Sequence, residues 1–263
     1  MKATALNEGS YSVDNSKNFI PFDPALHQAT DRPASLFIYV QPFIIKTKND
    51  LIVLDTGLGN KNAEGKLILH DNILKAGYRA DDVTLVLMSH LHFDHAGGMV
   101  IEDRRPKTED EGSRDLSFPN AQYIIQRGEW ESAYSQPSKS YKTEIFDVLQ
   151  RSNSVHFVEG SGQLNPEISY ELTGGHSEFH QVFLIKEDQE TIFYGGDILP
   201  EPGQLLRKFI AKYDFDGRKA MELRIEYGKR AAAENWTCLF YHAKTKAIAK
   251  VAYQDESFKI LSA

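Results

Sequence analysis

The stretch Ser89-His90-Leu91-His92-Phe93-Asp94-His95-Ala96-Gly97-Gly98 places three histidines and one carboxylate within six consecutive residues. Neutral imidazole nitrogen and carboxylate oxygen are the ligands that a zinc-like ion takes where thiolates are absent. The apolar run Val83–Met88 directly precedes it and reads as a buried strand, so the strand delivers the cluster to an edge. The neighbouring Gly97-Gly98 pair permits a tight turn.

Four further positions share this context of a polar, metal-capable residue at the end of an apolar strand. Asp55 follows Leu51–Leu54, His176 follows Tyr170–Gly175, Asp197 follows Ile192–Gly196, and His242 follows Cys238–Tyr241. Strand ends are where α/β scaffolds place their chemistry. Five histidines (His90, His92, His95, His176, His242) and two aspartates (Asp94, Asp197) make seven donors. One catalytic zinc needs only three protein ligands, so seven suit two ions sharing a carboxylate.

The bulk of the chain agrees with a soluble enzyme. It has 263 residues, enough for one large α/β domain or two small ones, and a net charge of −7, which argues against a nucleic-acid partner. The single cysteine, Cys238, lies in an apolar run and reads as a buried structural thiol, and it rules out an intramolecular disulfide. No apolar leader follows Met1, and no run approaches the roughly 20 apolar residues of a membrane span. The expected setting is cytoplasmic, with a small-molecule substrate, no nucleic-acid or membrane partner, and association into a homodimer left open.

Outward from the cluster, residues 1–34 read as an irregular polar arm with some strand near Tyr11–Val13. Ser35–Lys46 and Leu51–Asp55 read as a hairpin around Lys48-Asn49-Asp50. Helices are expected over Lys66–Ala76, Arg127–Tyr134, Lys142–Arg151 and Asp216–Asn235. Strands are expected over Ala121–Ile125, Val155–Val158, Ile168–Leu172, Gln181–Lys186, Thr191–Tyr194, Trp236–Tyr241 and Ala247–Ala252. Glu102–Ser117 reads as a charged, exposed loop. Strands, crossovers and ligand-bearing loops recur in both halves, which suggests two facing sheets with helices outside, in one domain spanning 1–263.

His90-Leu91-His92-Phe93-Asp94-His95, with Leu54-Asp55-Thr56-Gly57, Thr173-Gly174-Gly175-His176, Gly195-Gly196-Asp197 and Tyr241-His242 in that order, resembles the metallo-β-lactamase superfamily of metallohydrolases. The resemblance implies an αββα sandwich of two facing mixed sheets, with the site at one edge between them. It implies that His90, His92 and His176 hold a first metal, that Asp94, His95 and His242 hold a second, and that Asp197 bridges. Asp55 would orient the histidine loop. The implied cofactors are two divalent ions, zinc first, with iron, manganese or cobalt as alternatives.

Within the superfamily, the first motif followed by Tyr123–Glu131 is similar to the acyl-homoserine-lactone lactonase and methyl-parathion-hydrolase-like branch. That implies a metal-bridging hydroxide attacking a carboxylic ester or lactone, with Asp94 passing a proton to the leaving group. Thioester or phosphotriester hydrolysis on the same site is the alternative, and an iron-bearing redox or oxygen-binding module is a more distant one. Lactonases of this kind carry a tyrosine three residues after the bridging aspartate, where this chain has Pro200.

His180 is expected to hydrogen-bond near the site rather than ligate, and His27, His70 and His156 lie outside the pattern. Tyr194 and Tyr241 read as core or wall residues. Phe179, Phe209 and Tyr213 could line a pocket.

Overall fold

The computed structural model describes residues 1–102, 114–136 and 138–262. Two sheets carry the fold. The first has six strands in the order Lys2–Ala5, Phe43–Lys46, Leu51–Leu54, Leu85–Leu87, Gln122–Gln126 and Val155–Val158. The second has seven, in the order Gly162–Gln163, Ile168–Leu172, Gln181–Glu187, Glu190–Tyr194, Thr237–Leu239, Ile248–Gln254 and Ser257–Ser262.

Side-chain alternation along the strands explains the layers. Phe43, Ile45, Ile52, Leu54 and Leu87 of the first sheet meet Phe183, Ile185, Ile192, Tyr194 and Leu239 of the second in one buried cluster. The alternate residues Ile44, Val53, Val86 and Tyr123 face outward under helices Ile68–Lys75, Arg127–Ser135 and Thr143–Arg151, through Leu69, Ile73, Trp130 and Phe146. On the other side, Val182, Leu184, Phe193 and Cys238 pack beneath helix Gly217–Ala233, through Ala220, Tyr227 and Ala231. Strands buried on both faces read as unbroken apolar runs, as Leu51–Leu54 does. The result is the expected αββα sandwich.

Leu51–Leu54, Leu85–Leu87 and Gln122–Gln126 run parallel in the first sheet, and Glu190–Tyr194 runs parallel to Thr237–Leu239 in the second. Asp55, Ser89, Asp197 and His242 therefore all follow carboxyl ends of parallel strands.

The amino-terminal arm differs from expectation. The expected strand near Tyr11–Val13 is present as Gly9–Val13, but residues 1–34 hold two more: Lys2–Ala5 joins the first sheet, while Gly9–Val13 and Phe19–Pro21 form a separate three-stranded sheet with Leu36–Val40. Its core-facing side chains are few, with Tyr11 and Val13 buried on a strand that otherwise reads Gly-Ser-Ser, so the polar composition hides the alternation. The expected hairpin strand over Ser35–Lys46 is likewise two strands in two sheets, broken at Gln41-Pro42, where proline has no N–H for a ladder.

The stretch Glu102–Ser117 was expected to be a loop. Its ends, Val100–Glu102 and Arg114–Leu116, pair as short antiparallel strands, and residues 103–113 lie outside the described residues. Ser257–Ser262 adds an edge strand past the expected end of the sheet.

Candidate metal centre

After strand Leu85–Leu87 the chain makes one helical turn, Phe93–Ala96, and a tighter one, Gly97–Met99. The Gly-Gly pair exists for close approach: a Cβ on Gly97 would lie 2.4 Å from the Leu58 carbonyl oxygen, and one on Gly98 2.1 Å from that of Thr56. The Thr56–Leu58 segment so brought in is tied to the ligand loop, because Thr56 N and Oγ1 donate to the His95 carbonyl at 2.6 and 2.9 Å.

Asp55 itself sits at φ 52°, a left-handed conformation uncommon for residues other than glycine. Four hydrogen bonds hold it there. Its Oδ1 accepts from Ser89 N at 2.7 Å, and its Oδ2 accepts from Ser89 Oγ at 2.6 Å, His95 Nδ1 at 2.7 Å and Tyr194 OH at 2.5 Å.

Those bonds assign protons. A carboxylate only accepts, so His95 carries its hydrogen on Nδ1 and presents a lone pair at Nε2. Asp214 does the same for His176, with Oδ1 2.8 Å from Nδ1, and the Tyr39 carbonyl does so for His242 at 2.7 Å. Ser89 Oγ, having donated to Asp55, accepts from His90 Nδ1 at 3.0 Å. Four ring Nε2 lone pairs thus point into one space.

All seven expected donors meet there. His92 Nδ1 lies 3.0 Å from His90 Nε2 and 3.1 Å from His176 Nε2. Asp197 lies between the histidines: Oδ1 is 3.2 Å from both His95 Nε2 and His242 Nε2, and Oδ2 is 3.2 Å from His176 Nε2. Asp94 Oδ2 is 3.6 Å from His242 Nε2 and 3.8 Å from His95 Nε2. Two groups have the compactness of cation sites, His90–His92–His176 and Asp94–His95–His242, and Asp55–His90–His95 forms a third.

The residues fit metal on two independent grounds. Among the described residues, His95 Nε2 and Asp197 Oδ1 are buried and find no hydrogen-bond partner, which is costly unless a cation lies between them. The charge state agrees. Burial, with the neighbouring imidazoles, holds His90 and His92 well below the ordinary histidine value. Burial also pulls on His95 and His242, but Asp197 and Asp94 outweigh it and raise both. Carboxylates gathered among buried imidazoles are a setting that divalent ions neutralise.

Other expectations fall around this core. His180 hydrogen-bonds as expected: Thr173 Oγ1 is 2.9 Å from Nδ1, and Nε2 accepts from Asp197 N at 3.1 Å. Tyr241 stacks on His95 at 4.0 Å and donates to the Asp94 carbonyl at 2.6 Å, a wall role. Phe179 packs against Gly128 and the Phe209 carbonyl accepts from Arg224, whereas Tyr213 lines the cavity. His27 and His156 lie away from the centre, and His70 packs on Phe118. The Cys238 thiol is buried and pushed up to about 12, which keeps it protonated.

The sequence reading missed Asp214, Glu129, Ser177, Tyr141 and the Tyr39 carbonyl. Asp214 sits in an ordinary Asp/Phe run, and Glu129 looks like one more charge on a helix.

A cavity of about 640 Å³ opens above the centre. Phe19, Leu36, Ile38 and Phe93 form an apolar wall, and Tyr213 and Phe215 stand among its other lining residues.

A two-sheet sandwich flanked by helices, with histidines and aspartates gathered at strand ends along one edge, is a metallo-β-lactamase-like architecture. The family profile described as the metallo-beta-lactamase superfamily matches residues 38–248, and the chain belongs to that superfamily. The N-acyl homoserine lactonase of Bacillus cereus is 31% identical over 166 residues, covering 56% of this chain and 58% of the relative. The N-acyl homoserine lactonase AttM of Agrobacterium fabrum is 28% identical over 157 residues, covering 56% and 48%. The chain thus spans about half the length of these relatives.

Two solved structures share the fold: a probable metal-dependent hydrolase from Staphylococcus aureus (TM-score 0.75, 19% identity, 100% and 96% covered), and AidC, a dizinc quorum-quenching lactonase with bound product (0.72, 21%, 99% and 94%). Among the described residues no helix is long and apolar enough to cross a membrane.

Proposed function

We propose that this chain is a two-metal hydrolase of carboxylic esters or lactones, with N-acyl homoserine lactones, the named substrates of its relatives, as the first candidates. The observation that carries this reading is the position of Asp197. Each of its carboxylate oxygens faces a different histidine group at 3.2 Å, as a shared ligand requires. His90, His92 and His176 would hold one ion and Asp94, His95 and His242 the other. When bound, such ions acidify water, polarise the attacked carbonyl and offset charge on the leaving oxygen.

The chain's own groups do the rest. Asp214, Asp55 and the Tyr39 carbonyl keep protons on the outer nitrogens of His176, His95 and His242, so that lone pairs face the reacting centre. Asp94, which lines the cavity, would take the proton released by the attacking water and pass it to the leaving oxygen. The wall of Phe19, Leu36, Ile38 and Phe93 accepts an apolar substituent and sheds water from it. Pro200 offers no hydroxyl to a substrate, and its carbonyl accepts from His242 N at 2.8 Å.

The test is a hydrolysis panel on metal-replete protein: acyl-homoserine lactones, aryl esters, a thioester, a phosphotriester and a β-lactam, alongside elemental analysis. Two equivalents of transition metal with lactone or ester turnover are expected. Traces of metal in gently purified protein would sink the two-metal reading. Preference for the phosphotriester would overturn the substrate assignment alone.

A further inference from the structure

Glu129 lies on helix Arg127–Ser135, behind the centre, and is 1% exposed. Its carboxylate receives three donors from three separate stretches of chain. Leu91 N reaches Oε1 at 3.1 Å, Tyr141 OH reaches Oε1 at 3.0 Å, and Ser177 Oγ reaches Oε2 at 2.8 Å. Leu91 is the residue between His90 and His92. Ser177 directly follows His176. The Tyr141 ring packs 5.1 Å from that of His92. Every donor on Glu129 therefore abuts a member of the His90–His92–His176 group.

Filling this space would not require a carboxylate, and burying one is costly unless donors satisfy it. What the carboxylate does here is accept from donors at fixed positions, with the added strength of a charge-assisted acceptor. The ligand loops it joins are far apart in sequence and belong to different sheets. Nε2 of His176 must come within about 3 Å of His92 Nδ1, as it does at 3.1 Å, for the two to face one ion.

The geometry points to Glu129 as a positioning residue for the three-histidine half of the centre. It latches the loop of His90 and His92 to the loop of His176, so that the three nitrogens converge before an ion arrives. The inference rests on the two-metal reading above. The half formed by Asp94, His95 and His242 takes its orientation elsewhere, from Asp55 and the Tyr39 carbonyl.

The test is zinc titration of the metal-stripped chain by calorimetry, for wild type, Glu129→Ala and Glu129→Gln. His176→Ala and His242→Ala serve as references that identify which binding step belongs to which half. In Glu129→Ala the step that His176→Ala removes should weaken by roughly 10- to 100-fold, the usual cost of losing an outer hydrogen-bonding partner. The other step should be unchanged. Glu129→Gln should restore most of the loss, since its oxygen still accepts from Leu91 N and Tyr141 OH and its amide can donate to Ser177 Oγ. General loosening of the fold would weaken both steps together.

Equal weakening of both steps, no weakening, or a Gln variant as deficient as Ala overturns the proposal. If Glu129→Ala does not fold, the Ser177→Ala/Tyr141→Phe double variant removes two of the three donors. It should weaken the same step, and unchanged binding overturns the latch. A wild-type chain that takes up no zinc fails the two-metal reading itself, whereas a failed latch leaves wild-type binding intact.

Discussion

His90 and His95 are both buried and close together, with ring centroids 4.2 Å apart, and the fold shifts their proton affinities in opposite directions. Burial and three neighbouring imidazoles keep His90 well below the ordinary histidine value, whereas Asp197, Asp94 and Asp55 overcome burial and raise His95 well above it. The contrast extends to the halves they belong to. One is built from three imidazoles and latched by Glu129, Ser89 and Asp214. The other mixes imidazoles with Asp94 and is oriented by Asp55 and a backbone carbonyl. Residue type alone does not set a ligand's state. Burial favours the neutral form at His90 and His92, whereas the carboxylates of Asp197 and Asp94 crowd His95 and His242.

Removing what the halves share should have the largest effect. Asp197→Ala should lower hydrolysis by far more than the roughly 100-fold that loss of an outer partner brings, and should weaken both zinc steps. Full activity in that variant would break the idea of one shared carboxylate.

Splitting the halves comes next. His176→Ala and His242→Ala should each remove one zinc equivalent by elemental analysis, and loss of both ions from either single variant would show the halves to be one cooperative unit.

Smaller effects should follow from the residues behind the ligands. Asp214→Ala should weaken the three-histidine step by roughly 10- to 100-fold. Asp55 bonds His95 directly and His90 only through Ser89, so Asp55→Asn should weaken the other step by a similar factor and the three-histidine step by less. Asp55→Asn should also lower the melting temperature, because an amide cannot accept from all four donors that Asp55 serves. The reverse pattern in zinc titrations would contradict the assignment of outer partners to halves.

The smallest effect on the centre is expected at Glu8, which supports the Gly57–Leu58 turn from outside. Burial pushes its carboxyl up to about 8, despite the hydrogen bond from Leu58 N at 2.7 Å. Folding therefore favours the protonated acid. Its contribution is complete below the ordinary glutamate range, and stability falls by about 1.4 kcal/mol per pH unit as pH climbs toward 8. Glu8→Gln should flatten that dependence in denaturant titrations between pH 5 and 8 and leave zinc stoichiometry unchanged. A slope identical to wild type would show that Glu8 ionises freely.

Much of this was legible in one dimension, for a physical reason. Buried strands such as Leu51–Leu54 and Leu85–Leu87 must be apolar, and their ends must turn. A histidine or aspartate at each such end is therefore conspicuous, which is how Asp55, His90, His176, Asp197 and His242 were found. Glu129 and Asp214 were not, because a carboxylate on a helix or loop looks the same whether it faces water or three donors. Of the strands in the amino-terminal arm only the one near Tyr11–Val13 was legible, and that in part, because Gly9–Val13 buries only its last three positions and Ser12 interrupts the apolar signal there.

The sequence by itself determined the sandwich, the strand ends that carry polar residues and the seven candidate donors, since local periodicity and residue chemistry encode those directly. Only the tertiary structure decided which nitrogen of each histidine faces inward, which carboxylates hold them so, and how the two halves differ in charge. Those properties depend on contacts between residues tens to more than two hundred positions apart, such as His242 with Tyr39. Local sequence patterns do not encode such distances.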